Sequence, residues 1–120
     1  MTAVGEYAKA IHEYLIHRPL AITLTSGKMF RGKKELLRFT GDGFCLALNF
    51  PRTQESGRFL EFLDGLIISL GGIPSIIKDS RIPHSVIEAS YPGVQRFREL
   101  RLAFDPERLF RSELSDRLHL

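Results

Sequence analysis

Val4, Tyr7, Ile11, Tyr14 and Leu15 recur at the spacing of one helix face, so the chain opens on an amphipathic helix. Thr2 is placed to cap its start, and the helix must end before Pro19. Leu20, Ile22 and Leu24 then alternate with Ala21, Thr23 and Thr25, which predicts a half-buried strand over residues 20–25. Residues 26–34 are rich in Gly and Lys and read as a loop, and residues 35–39 as a short strand. After the turn signal Gly41-Asp42-Gly43 comes the clearest strand of the chain. Phe44, Leu46, Leu48 and Phe50 point one way, Cys45, Ala47 and Asn49 the other, and Pro51 ends it.

Thr53 begins a second helix, whose stripe is Phe59, Leu63, Leu66, Ile67 and Leu70 and whose end is Gly71-Gly72. Residues 73–77 read as a short buried strand leading into Lys78-Asp79-Ser80-Arg81. The rest is helical. One short helix runs from Pro83 to before Pro92, and Val94, Phe97, Leu100 and Phe104 form the stripe of a second. Asp105-Pro106 opens a further turn, and Leu114 and Leu118 lie one turn apart in the last helix. The fold class expected is α+β: an antiparallel sheet with helices on one face, a ferredoxin-like split βαβ lacking its first strand, followed by C-terminal helices. A sandwich one strand short leaves a backbone edge unpaired, which invites a partner.

Length and composition narrow this. A chain of 120 residues suits a single domain and one core rather than two. No apolar run approaches the roughly 20 residues that span a bilayer, and the first ten residues carry Glu6 and Lys9 rather than an apolar signal core. A single cysteine excludes an internal disulfide framework, and the expected compartment is reducing and cytoplasmic, with membrane association only through a partner. The net charge of +3 is modest, and the basic residues from Arg96 to Arg117 alternate with acids. That pattern reads as a solvated helix surface with local ion pairs, and nucleic acid is not an expected partner.

The chemistry-bearing residues are few. His12, His17, His84 and His119 are not at metal-ligand spacing, and no nucleophile elbow, P-loop or GxGxxG occurs. A self-contained hydrolase or nucleotide-binding enzyme is unsupported. Cys45 is either a small buried strand residue or a group beside a ligand on the sheet face that carries only small and polar side chains. Lys28 follows the first predicted strand. Lys78, between an apolar strand and a polar turn, is either ion-paired or a fixed positive charge at the end of the sheet.

The tail carries a more specific pattern. Lys78-Asp79-Ser80-Arg81, Tyr91-Pro92, Phe97-Arg98-Glu99-Leu100-Arg101, Phe104-Asp105-Pro106-Glu107-Arg108-Leu109-Phe110 and Ser112-Glu113-Leu114-Ser115-Asp116-Arg117-Leu118 follow in order. This succession resembles the C-terminus of FAD-linked oxidases of the vanillyl-alcohol oxidase type, nearest to the oxidase subunits of decaprenylphosphoryl-ribose epimerases. The strand ending Asn49-Phe50-Pro51, Gly71-Gly72, and Lys28 with Phe30 fit the same resemblance. It implies a sheet that covers the flavin ring and binds an alcohol or sugar substrate at a CH–OH group. It also implies an FAD-binding domain or subunit as partner, since this chain has no counterpart of the family's pyrophosphate loops. Lysines matching Lys28 and Lys78 lie in the active site of such enzymes, and the one matching Lys78 adjoins the flavin pyrimidine edge. The resemblance thus assigns Lys78 to catalysis and to the cofactor, Ser75 to the cofactor, and Lys28, Cys45 and Ala47 to the substrate. Cys45 stands where the epimerase subunits have an asparagine, Ala47 where they have a cysteine, and Ser75 where they have a flavin-contacting tyrosine. These departures fall on substrate and flavin contacts.

Two readings follow. The chain is the substrate-binding portion of an FAD-dependent oxidoreductase, inactive alone. Alternatively it is a non-catalytic assembly module that pairs with a flavin-binding partner or forms a homodimer through its open sheet edge.

Overall fold

The computed structural model of the chain describes residues 2–33, 35–77 and 81–120. Helix α1 spans Ala3–His17, and the Thr2 hydroxyl accepts from the Gly5 N–H at 3.3 Å to cap it. Strands β1 (Leu24–Phe30) and β2 (Gly43–Asn49) form an antiparallel pair. Helix α2 spans Gln54–Ser69 and starts in a capping box between Thr53 and Ser56. It ends in a Schellman pair, Gly72 N–H to Ile67 O and Gly71 N–H to Ile68 O, with Gly71 at φ 65°. Helices α3 (His84–Ser90), α4 (Val94–Phe104) and α5 (Glu113–Arg117) complete the chain. The α+β class, the antiparallel sheet and the C-terminal helices are those the residue pattern predicts.

Three local expectations are corrected. The first strand lies later than the alternation at 20–25 suggests. Its extent is set by pairing with β2, from Leu24 opposite Asn49 to Phe30 opposite Gly43, so Lys28 lies within the strand and not in a loop after it. Leu20 instead packs against the α1–α2 cluster. Residues 35–39 form a turn, with Arg38 N–H bonded to Glu35 O and Leu36 at φ 49°. Its fixed point is Gly93, where an added Cβ would come within 2.6 Å of the Leu36 backbone. Residues 73–77 join no ladder. Pro74 has no N–H to give one, and its carbonyl accepts from the buried Tyr91 hydroxyl instead.

The interior is also not one core. Ile11, Phe59 and Leu63 centre a cluster between α1, α2 and the Leu46–Leu48 face of β2. Ile76, Ile82, Val86, Ile87, Tyr91, Val94, Leu118 and Leu120 centre a second, built by the helical tail. The radius of gyration is 15.7 Å, against roughly 14 Å for a close-packed domain of this length. The accessible surface is 8373 Å², against roughly 6600 Å² for a folded monomer of this mass. The surplus is what two cores that do not fuse would leave.

Candidate functional site

The hairpin fixes which candidate residues can act together. In an antiparallel pair directly opposed residues share a face. Lys28 is opposite Cys45, and Ser26 is opposite Ala47, so these four side chains occupy one face of the sheet. The opposite face, with Leu46 and Leu48, is the one that meets α1 and α2. On that helix-side face Gly27 lies under the Phe44 ring, which stands where its Cβ would be, 2.6 Å away. Lys28 and Ala47 are exposed and Cys45 and Ser26 are half-buried. The face is therefore a shallow platform of a thiol, a hydroxyl and a methyl with one ammonium beside them.

Around the outer edge of β2 lies a cavity of about 480 Å³, within the size range of small-molecule sites. Cys45 and Ser75 both line it, while Lys28 and Ala47 do not. Its walls come from the first turns of α1, from β2, from α2 and from residues 70–75 and 81–82. The predicted catalytic Lys78 lies outside the described residues.

The sequence reading missed the polar group inside this cavity. Arg81 grips Asp64 through both nitrogens, Nη1 to Oδ2 at 2.7 Å and Nη2 to Oδ1 at 2.8 Å, and Nη2 also reaches Leu60 O at 3.4 Å. Tyr7 stands nearby. Burial, then the negative charge of Asp64, then Cys45 push its hydroxyl up to about 12. A signal was available: Asp64 sits at helical spacing between Leu60 and Ile67, and a carboxylate on an apolar stripe calls for a cation.

The tail motifs do structural work. Arg98 donates to Glu88 and, through Nε, to His119 O at 2.6 Å. Arg101 donates to Leu120 O and Phe110 O, Arg108 to Leu120 O, and Arg117 to Ile82 O. Arg96–Glu99 and Arg111–Asp116 are the surface ion pairs that the charge alternation predicts, each at 3.1 Å. Arg98, Arg101, Arg108 and Arg117 instead bind backbone carbonyls in the segments between and after the helices. The Asp105 carboxylate accepts from Leu109 N–H at 2.8 Å and Phe110 N–H at 3.0 Å. Partial burial opposes its charge, but these two N–H groups, with Arg101 and Arg108, hold it below the usual carboxylate range. Among the described residues no group of three or more His, Cys, Asp or Glu side chains is placed to hold a metal. Likewise no described helix is long and apolar enough to cross a membrane.

Tyr91 is also pushed up to about 12 by burial, against a backbone hydrogen bond at Ile76. Both tyrosines keep their protons in the fold beyond the pH at which the unfolded chain loses them, near 10. Their contribution is complete below pH 10 and is lost as pH rises toward 12. At about 1.4 kcal/mol per pKa unit, each should withdraw about 3 kcal/mol over that window. Urea midpoints measured from pH 9 to 12 should fall steeply, and Tyr7→Phe with Tyr91→Phe should flatten the fall. An equally steep decline in the double variant would contradict this.

No protein-family model matches the chain. An uncharacterised protein in the mprA 5′ region of Streptomyces coelicolor is 37% identical over 90 residues, 74% of this chain but 24% of that protein. Decaprenylphosphoryl-β-D-ribose oxidase of Mycolicibacterium smegmatis is 29% identical over 89 residues, 74% of this chain and 19% of the oxidase. The relationship is distant, partial, and to an oxidase. The chain spans a quarter or less of the length of these relatives. The resemblance drawn from the tail motifs stands to that extent, as kinship with an oxidase.

Proposed function

We propose that the chain is the C-terminal, substrate-side portion of an FAD-dependent oxidoreductase that acts on a CH–OH group of a sugar or lactone-like substrate. It is a single domain that completes its active site with a flavin-binding domain or subunit. The observation that carries this reading is the 29% identity to the ribose oxidase over 89 residues. The platform of Ser26, Lys28, Cys45 and Ala47 suits it, because small side chains beside one cation leave room for a polar ring. Under this reading Lys28, Cys45 and Ala47 bind substrate, Ser75 meets the cofactor, and Lys78 supplies positive charge beside it.

The described residues do not fit a whole FAD. A helix start favours a pyrophosphate through its free N–H groups, and nearby carboxylates oppose it. Here the first turns of α1 and α2 carry Glu6 and Glu55, and that of α5 carries Glu113 and Asp116. Helix α3 has seven residues, and α4 is preceded by Gly93, packed against Leu36. The dinucleotide belongs to the partner under this reading, and no chemical step is assigned to it on this chain.

Purified alone, the chain should show no flavin absorbance and no turnover. A stoichiometric yellow protein would sink the partition. In the intact enzyme, Lys78→Ala should slow flavin reduction by about a hundredfold, the scale of losing one preorganised electrostatic partner, with its melting temperature unchanged. An unchanged reduction rate would refute the assignment of Lys78.

A further inference from the structure

The cavity beside β2 is where the two cores fail to meet. Its lining takes Leu46, Leu48 and Leu63 from the first cluster and Phe39, Ile73 and Ile82 from the second. Along one wall runs β2, which pairs only with β1. Among the described residues no backbone group is bonded to the opposite edge of Phe44–Leu48. Unpaired strand edges are templates for another strand, and seven residues of β2 present about 23 Å of one. The ladder-free stretch at 73–75 lines the same cavity.

We propose that this slot receives a single extended strand of a partner polypeptide, which pairs with the outer edge of β2 and joins the two cores. Its inward side chains, at every second position, are apolar and small to medium in size, because they meet leucines and isoleucines from both clusters. A second copy of this chain does not fit the same description. Its β2 carries β1 alongside, a two-stranded ribbon, whereas the cavity beside β2 is also lined by residues 73–75. This mode is β-augmentation, in which main-chain bonds give affinity and alternate side chains give specificity. The inference rests on the hairpin and the cavity, and it holds whether or not the partner carries a flavin.

The test uses the 120-residue chain and a synthetic peptide of alternating Thr and Val with a Lys at each end. Backbone amide exchange is followed by NMR with and without excess peptide. Alternate amides of Gly43–Asn49 should exchange at least about tenfold more slowly with peptide, while the outer edge of Leu24–Phe30 stays unchanged. A peptide with proline at the central valines should give no protection, and Ser75→Trp, which fills the slot, should abolish the effect of the first peptide. Protection along β1 instead, or none anywhere, overturns the proposal. So does a chain that light scattering finds dimeric with its β2 amides already protected. Because the probe contains no flavin and no substrate, this result is independent of the flavin-spectrum and reduction-rate tests.

Discussion

Phe59→Ala should cost about 3–5 kcal/mol, the range for removing a fully enclosed aromatic ring. Phe59 has no exposed surface and is the hub of the α1–α2 cluster. Its ring lies 5.2 Å from Tyr14 of α1, 5.8 Å from Phe50 just after β2, and 6.3 Å from Phe62 one turn on. Alanine there leaves a hole that three elements share, and none of them can close it without giving up its contacts with the other two. A single small domain has about 5–15 kcal/mol in total, so the variant should sit near the edge of folding. The measurement is the urea midpoint by circular dichroism, with the slope unchanged. Phe104→Ala is the internal control. Phe104 lies on a predicted helix stripe like Phe59, but it is 87% exposed, and its loss should stay within about 0.5 kcal/mol. Equal costs for the two would mean that the α1–α2 cluster is not a core.

That contrast also marks how far the sequence could be read. Local rules placed what local rules govern: Thr2 and Thr53 cap helices, Gly71-Gly72 ends one, and the 44–50 alternation is β2 with its leucines toward the helices. They failed where a partner element decides. The first strand was misplaced because its span is fixed by pairing with β2, and nothing within residues 20–30 records that pairing. Residues 73–77 are apolar enough for a strand, but a strand needs a neighbour, and beside them lies the cavity. Phe104 fits its stripe, yet the helix turns that position toward solvent.

The candidate site was legible to a similar depth. The alternation put Cys45 and Ala47 on one face, but only the register could set Lys28 directly opposite Cys45. Ser75 reached the site by resemblance alone, and the cavity that it shares with Cys45 depends on three-dimensional placement. The tail that carried the resemblance sits at a distance from that platform in function. Its arginines bind the carbonyls of His119, Leu120 and Ile82. The residues of that motif therefore hold the fold together, and the platform is built by others.

The second large effect expected is at Asp64. Asp64→Ala should cost about 3 kcal/mol, because it removes both acceptors of a bidentate contact with a guanidinium that is only partly solvated. The Asp64 and Arg81 side chains are 12% and 29% exposed, and the contact is bidentate. Position magnifies the effect. Asp64 belongs to α2 and the first core, while Arg81 precedes Ile82 of the second, so this pair is a polar tie across the gap that apolar packing leaves open. Asp64→Asn keeps one acceptor and should cost less than alanine. Asp64→Leu combined with Arg81→Met should recover much of the loss, since two apolar groups of similar volume no longer need each other's charge. A double-mutant cycle on urea midpoints measures the coupling. A coupling near zero, with Asp64→Ala as mild as a surface substitution, would mean that the cores are joined elsewhere. A strong coupling would make the tie the hinge of the slot: a strand entering beside β2 would pass Asp64 and Tyr7 on the cavity wall. The pair would then stabilise the chain before a partner arrives and hold the two cores at the spacing that the partner needs.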